Sequence, residues 1–250
     1  MITIIWNVRG AASGAFRRIY KEMMKQYKPD ITILLETKCS GQVARNVIKQ
    51  LGYTNYIIEE AQGFAGGIWI CWNRNDINII SIEAHQQYIH VKVQECGRGE
   101  WFFTTVYASP HQQIRRELWP KLQNIANTVS GEWLIAGDFN EIKDSSEKRG
   151  GAPTDLRACN AFTNWINNCG LIDLGFISSR FTWRGPQWKS QERIFERLDR
   201  AMANSSWRNR FHEATVEVLT RMKSDHHPLL ITTEKRLNGI KDRPFRFEAM

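Results

Sequence analysis

The five cysteines, Cys39, Cys71, Cys96, Cys159 and Cys169, form an odd set with none of the paired spacings that hold zinc. A disulfide framework and a zinc site are therefore poor readings, and a reducing compartment fits better. No run approaches the roughly 18 apolar residues needed to cross a bilayer. The amino terminus lacks a basic segment leading into an apolar stretch. The expectation is a soluble intracellular protein, nuclear or cytoplasmic, with no membrane association. Internal repeats and low-complexity segments are absent, and acidic residues are in deficit: 26 Asp and Glu against 34 Lys and Arg, a formal charge of +8. That balance favours a polyanionic partner such as nucleic acid, although basic surfaces also serve solubility.

What remains is enough for one sizeable core. The chain has 250 residues, 42% of them hydrophobic, which suits a single domain. Its ten tryptophans are many for this length, but Trp69, Trp72, Trp133 and Trp165 lie in apolar patterns and read as core.

The first half alternates strand and helix patterns: Ile2 to Trp6 as a buried strand, Gly14 to Tyr27 as a helix, Ile31 to Glu36 as a strand and Gly41 to Leu51 as a helix. Tyr53 to Glu60, Gly66 to Trp72, Ile77 to Ala84, Tyr88 to Gln94 and Trp101 to Tyr107 then read as consecutive strands with short turns, hence antiparallel pairing. One amphipathic helix is expected from Gln112 to Val129, a strand over Trp133 to Ala136, and a helix carrying Leu156, Cys159, Phe162, Trp165, Ile166 and Cys169. Arg180 to Trp183, Arg193 to Leu198, Thr215 to Leu219 and Leu229 to Thr233 suggest further strands. This is an α/β (α+β) pattern that suits a four-layer sandwich, two packed mixed β-sheets flanked by helices, better than a doubly wound parallel sheet. The domain is expected over residues 1–235. Residues 236–250 read as a linker-like tail, as though cut from something longer.

Chemistry-bearing residues sit immediately after or before apolar runs, where loops can converge. Asn7 follows Ile4-Ile5-Trp6, Glu36 follows Ile33-Leu34-Leu35, Asp138 and Asn140 follow Leu134-Ile135-Ala136-Gly137, and Asp225-His226-His227 precedes Pro228-Leu229-Leu230-Ile231. Phosphodiester hydrolysis needs a hard cation on oxygen ligands, a group that orients water, and donors for charge building on phosphoryl oxygens. Glu36 suits the cation, since magnesium uses only one or two carboxylates; the alternative is an acid that initiates the next helix. Asp138 and Asn140 offer a carboxylate and an amide on one side of a turn, or simply an Asx-rich turn. His226 beside Asp225 can supply a proton-carrying donor if a second carboxylate holds it, and Asp199 is the candidate, against a surface ion pair. His227 suits packing or support. Asn7 could fix Glu36 or a phosphate, and Tyr107 could donate its phenol to phosphate or be a buried core residue.

Taken together, Trp6-Asn7-Val8-Arg9-Gly10, Leu35-Glu36-Thr37, Val106-Tyr107, Gly137-Asp138-Phe139-Asn140, Arg197-Leu198-Asp199 and Ser224-Asp225-His226-His227-Pro228 resemble the endonuclease/exonuclease/phosphatase superfamily, which includes pancreatic deoxyribonuclease and the apurinic/apyrimidinic endonucleases. The resemblance implies the DNase I-like fold, Mg2+ or Mn2+ as cofactor, Glu36 as principal metal ligand and Asp138 as the water-activating carboxylate. It further implies Asn140 and His226 as transition-state stabilisers, Asp199 as the group orienting His226, and Tyr107 as a phosphate contact. Asn7 and Asp225 would complete the network around the metal. Arg9 departs from the pattern, standing where repair enzymes of this superfamily carry an acid. Leu35-Glu36-Thr37-Lys38, Tyr107-Ala108-Ser109-Pro110, Phe181-Thr182-Trp183, Leu198-Asp199-Arg200-Ala201 and Arg243-Pro244-Phe245-Arg246-Phe247-Glu248 look like plant LINE-type non-LTR retrotransposon endonucleases. That likeness implies nicking of DNA to leave a 3′ hydroxyl, in a monomeric domain of a polyprotein with reverse transcriptase.

Between Arg180 and Arg200, the cations Arg180, Arg184, Lys189, Arg193, Arg197 and Arg200 outnumber Glu192, Glu196 and Asp199. Arg184, Trp188 and Lys189, around Gly185-Pro186-Gln187, are expected to contact DNA; the alternative is a solvated turn over a packed aromatic. Two rival functions stay open. One is a phosphoesterase of the same superfamily on a non-DNA substrate, although the tryptophan- and cysteine-containing signatures of inositol phosphatases are missing. The other is a decayed binding module, although its carboxylates are all present.

Overall fold

The computed structural model describes residues 1–187 and 192–234. In chain order the elements are β1 (Ile2–Asn7), α1 (Gly14–Tyr27), β2 (Ile31–Leu35), α2 (Gly41–Leu51), β3 (Asn55–Gln62), β4 (Ala65–Trp72), β5 (Ile77–His85), β6 (Tyr88–Glu95) and β7 (Gly99–Tyr107). There follow α3 (Gln112–Arg116), α4 (Leu118–Thr128), β8 (Trp133–Asp138), β9 (Lys148–Arg149), α5 (Leu156–Asn168), β10 (Ile172–Asp173), β11 (Ile177–Ser178), β12 (Trp183–Arg184) and β13 (Phe195–Glu196). The described part ends with β14 (Asp199–Ala203), α6 (Ser205–Arg210), β15 (Thr215–Val218) and β16 (Leu229–Thr232).

The strands form a seven-stranded sheet, β11-β15-β16-β1-β2-β4-β3, a six-stranded sheet, β10-β14-β8-β7-β6-β5, and a small third sheet, β12-β13-β9. The two large sheets face each other through the inward residues Ile31, Ile33 and Leu35 of one and Val91, Phe103 and Leu134 of the other. Their outer faces are covered as well. Ile4, Trp6 and Leu34 lie under Phe16, Tyr20 and Ile48 of α1 and α2, and Trp133 and Ile135 lie under Leu122 of α4 and Phe162 of α5. Strands buried on both faces read as nearly continuous apolar runs, and β1, β2 and β8 follow that pattern with Thr3 and Thr32 as the polar interruptions. Trp69, Trp72, Trp133 and Trp165 are all buried, as their patterning predicts.

Three expectations are corrected. The single helix from Gln112 to Val129 is two, α3 and α4, meeting at Glu117. Pro120 has no N–H to return to the Arg116 carbonyl, so the ladder breaks there and restarts with Pro120 in the first turn, where partners are missing anyway. The strand expected over Arg193 to Leu198 shrinks to β13, and the main strand is β14, starting at Asp199. Ala201, Met202 and Ala203 are weak strand formers that conceal it, yet all three are buried, with Ala201 and Ala203 in the core between the sheets. The strand expected over Arg180 to Trp183 begins only at Trp183.

Arg197 and Arg200, counted in the positive balance of the Arg180–Arg200 stretch, are buried. Arg197 donates to Glu147 Oε1 at 2.9 Å and Asp173 Oδ1 at 2.8 Å, and Arg200 to Glu147 Oε2 at 2.6 Å and Asp173 Oδ2 at 3.1 Å. Burial alone would raise the Glu147 carboxyl, but Arg200 and Arg197 hold it below its ordinary range. This four-residue network joins the 147 turn, β10 and β14. Removing Glu147 leaves two buried guanidiniums sharing the single Asp173 carboxylate, an uncompensated interior charge, so Glu147→Ala should cost about 3–5 kcal/mol. Urea unfolding checks this; a loss typical of a surface ion pair would mean that water reaches the cluster.

Candidate active site

The topology brings the polar strand ends together. β1 and β2 run parallel with Asn7 beside Leu35, and β7 and β8 run parallel with Tyr107 beside Asp138. The carboxyl ends of these pairs carry Asn7, Glu36, Tyr107 and Asp138. β14 is antiparallel to β8, placing Asp199 at its start directly opposite Asp138. β16 is antiparallel to β1, so the Ser224–His227 segment before it falls beside Asn7.

Asp138 has no exposed surface. Its Oδ2 accepts from Asn7 Nδ2 at 2.9 Å, across the gap between the two large sheets, and from Asn140 Nδ2 at 3.1 Å. Its Oδ1 accepts from the Asn140 backbone N–H at 2.9 Å. Gly137, just before it, lies at φ +148°, and a Cβ there would stand 2.0 Å from the Val106 carbonyl oxygen. Only glycine lets β8 approach β7 so closely at this point. Asn140 also donates to the Ala108 carbonyl at 2.8 Å.

His226 Nδ1 lies 2.9 Å from Asp199 Oδ2, and Nε2 lies 3.7 Å from Asp138 Oδ2. Asp199 and His226 are each only 4% exposed, which overturns the surface ion pair as an account of Asp199. Burial works against a charged imidazole, but the Asp199 and Asp138 carboxylates outweigh it and raise His226 to about 9. Burial likewise raises Asp138, to about 7, against the pull of His226. Ligand atoms of Asp138, Asp199 and His226 all lie within 4.8 Å of one another, a spacing a metal could also use. Both histidine nitrogens already face carboxylates, however, and both Asp138 oxygens have donors. The three therefore form a buried, mutually bonded cluster.

The more open half of the site is built on ion pairs. Glu36 Oε1 is 2.9 Å from Lys38 Nζ and 3.9 Å from Arg9 Nε, while the Arg9 guanidinium reaches Asp225 Oδ2 at 2.6 Å. Trp183 Nε1 donates to the same Asp225 oxygen at 2.9 Å. Tyr107 is buried with its phenol bonded to Glu36; burial, Glu36 and Asp138 all push its pKa up, so it stays a protonated donor. Tyr107 is thus a core residue whose phenol is engaged by Glu36. Glu36 does not initiate α2, whose N-cap is Ser40. His227 bonds the Leu219 carbonyl at 2.8 Å, a packing role as expected.

Of the residues expected to contact DNA, Trp188 and Lys189 lie outside the described residues. Arg184 is half-buried in β12, its backbone N–H donating to the Asp225 carbonyl at 2.9 Å. Two supports carried no assigned role in the sequence. The Thr182 hydroxyl accepts from the N–H groups of Leu198 and Asp199 at 3.0 and 2.9 Å, fixing the start of β14. The Ser224 hydroxyl donates to the Asn7 carbonyl at 2.7 Å and accepts from His226 N–H at 3.1 Å. Both sit inside quoted motifs; only the partners were invisible.

This geometry can be set beside known proteins. Residues 4–226 match the model of the Endonuclease/Exonuclease/phosphatase family. The chain belongs to that family. No curated protein matches it at a significant level. Among solved structures, the fold is similar to the endonuclease domain of TRAS1, a telomere-specific non-LTR retrotransposon, with a TM-score of 0.68 and 11% identity over 95% of this chain and 99% of that one. It is also similar to the AP endonuclease LMAP of Leishmania major (TM-score 0.70, 14% identity, 92% and 86% of the two chains). An AP endonuclease from Archaeoglobus fulgidus is alike to a similar degree (TM-score 0.67, 17% identity, 93% and 98%). The DNase I-like four-layer sandwich expected from the sequence is thus the fold.

Because the folded value of His226 stands above its ordinary 6.5, its protonation contributes stability that is complete below about pH 6.5 and is lost as pH rises through about 9. In the metal-free protein its imidazole NMR signals should titrate near pH 9. In Asp199→Asn the transition should move about one to two pH units lower; an unmoved transition would remove Asp199 as its partner.

Proposed function

We propose that this chain is a divalent-metal-dependent endonuclease that nicks duplex DNA by phosphodiester hydrolysis and leaves a 3′ hydroxyl, as in target-primed retrotransposition. The observation that carries this is the buried Asp138, held by Asn7 and Asn140 and set beside the His226–Asp199 pair. Asp138 is the group that orients the attacking water and takes its proton, its carboxyl raised above the ordinary range by burial. His226, charged through Asp199, and the Asn140 amide are donors for charge that accumulates on the phosphoryl oxygens. The Tyr107 phenol, kept protonated, is a further donor at the same rim.

The oxygen donors around Glu36 suit a hard cation. Glu36 and Asp225 are carboxylates that already share a positive partner, Arg9, and Asn7 adds an amide oxygen that accepts from the Arg9 N–H at 3.2 Å. Glu36, with Asn7 and Asp225, would hold Mg2+ or Mn2+, which supplies Lewis-acid stabilisation of the phosphate. The formal charge of +8 favours an extended anionic substrate over a small ester. Likeness to the TRAS1 domain over nearly its whole length supports the retrotransposon setting, with reverse transcriptase in the same polyprotein and genomic DNA as the target.

Supercoiled plasmid with Mg2+ tests this directly. Nicked circles should form, a chelator should stop the reaction, and a polymerase should extend the new ends without prior phosphatase treatment. Asp138→Asn should slow nicking about 10²–10⁴-fold with DNA binding retained. Ends that resist extension would exclude the priming role. Faster release of phosphate from soluble inositol phosphates than nicking of plasmid would move the substrate away from DNA.

A further inference from the structure

Arg9 joins two acidic groups from different parts of the chain. Glu36 follows β2 and Asp225 precedes β16, and one guanidinium reaches both, at 3.9 Å and 2.6 Å. The contact is built into the backbone. Beyond the last paired residues of β1 and β2, Val8 N–H donates to the Leu35 carbonyl at 3.0 Å and Gly10 N–H to the Glu36 carbonyl at 2.8 Å, so Arg9 is carried alongside Glu36. Arg9 and Glu36 both take left-handed backbone conformations, φ +48° and +52°, which non-glycine residues rarely adopt. The Arg9 side chain is nevertheless 53% exposed, against 14% for Glu36 and 19% for Asp225. Among the described residues, the guanidinium is held by its ion pairs and not by burial.

We propose that Arg9 is a resident counter-cation of the Glu36–Asp225 pair, competing with the divalent ion for these carboxylates and yielding when the ion binds. This rests on Glu36 being an ion ligand, as set out above. With Arg9 and Lys38 in place, the two carboxylates are matched by two positive side chains and the cluster is neutral. It persists without strong repulsion, at the cost of weaker ion binding. When the ion enters, Arg9 leaves Glu36, and the cluster turns net positive toward an approaching phosphodiester. A half-exposed ion pair is worth up to about 1 kcal/mol, so competition of this kind lowers ion affinity by up to roughly fivefold; like-charge repulsion between ion and guanidinium adds to it.

The test is direct Mn2+ binding to the full chain, read as free Mn2+ by electron paramagnetic resonance, for wild type, Arg9→Met and Arg9→Lys. Arg9→Met keeps the length and apolar stem of the side chain and removes the charge. It should bind Mn2+ about three- to tenfold more tightly, with Arg9→Lys close to wild type. Thermal unfolding gives a second readout: the metal-free Arg9→Met protein should melt lower, and Mn2+ should raise its melting temperature by more than it raises that of wild type. Equal or weaker binding by Arg9→Met would overturn the competition while leaving Glu36 as ligand. Absence of Mn2+ binding in all three proteins would overturn both.

Discussion

A carboxylate with no exposed surface costs several kcal/mol to keep in a protein interior unless donors replace the lost water. Asp138 meets that condition through Asn7, which belongs to the other sheet, and through Asn140, two residues along its own loop. The bond from Asn7 ties the end of β1 to the end of β8, and so fixes where the two sheets meet. Around that point the rest becomes geometrically necessary. Gly137 must be glycine for β8 to lie against β7, and Asn140 must turn through φ +47° to bring both its amide groups back to Asp138 and Ala108. Asp199 must begin its strand opposite Asp138 for His226 to lie between the two acids.

A second constraint acts from behind. Arg197 and Arg200 flank Asp199 in sequence, and both are pinned in the interior by Glu147 and Asp173. Positive charge adjacent in sequence would ordinarily be thought to serve an anionic substrate. Here its partners spend it on holding the start of β14, while Thr182 caps the N–H groups of Leu198 and Asp199. The orientation of Asp199 thus depends on a hydroxyl in front and an ion cluster to one side.

Much of this was legible in the sequence for one reason. Strands covered on both faces are almost wholly apolar, so the acid or amide that ends each run marks both the strand end and the candidate site; Asn7, Glu36 and Asp138 stand out in that way. Asp199 and Tyr107 have no such isolation. Asp199 sits among arginines, and only the company of the other motifs raised it above a surface acid. What stayed hidden was pairing. Neither the inward course of Arg197 and Arg200, nor the hydroxyl contacts of Thr182 and Ser224, nor the double engagement of Arg9 follows from periodicity. Each depends on which strands become neighbours, and that is decided by segments far apart in the chain. Helix breaks were lost for a more local reason, since the amphipathic pattern runs on through Glu117 while the missing N–H of Pro120 interrupts only the backbone.

The site divides by burial into two halves with different physical requirements. Asp138, Asp199 and His226 are at most 4% exposed. In that setting the attraction between imidazole and carboxylates is little screened, which is how His226 reaches about 9 despite the opposing effect of desolvation. A dry, hydrogen-bonded cluster keeps its geometry without help from solvent. Glu36, Asp225, Arg9 and Lys38 are between 14% and 53% exposed at their side chains. Their ion pairs are screened and individually weak, so partners there can exchange. Preorganisation on one side and exchangeability on the other are opposite demands. The fold meets both at one rim by burying one half between the sheets and leaving the other on loops beyond the strand ends. Arg9 stands at the boundary, its backbone fixed to Glu36 by the extension of the β1–β2 ladder and its half-exposed side chain paired with Asp225.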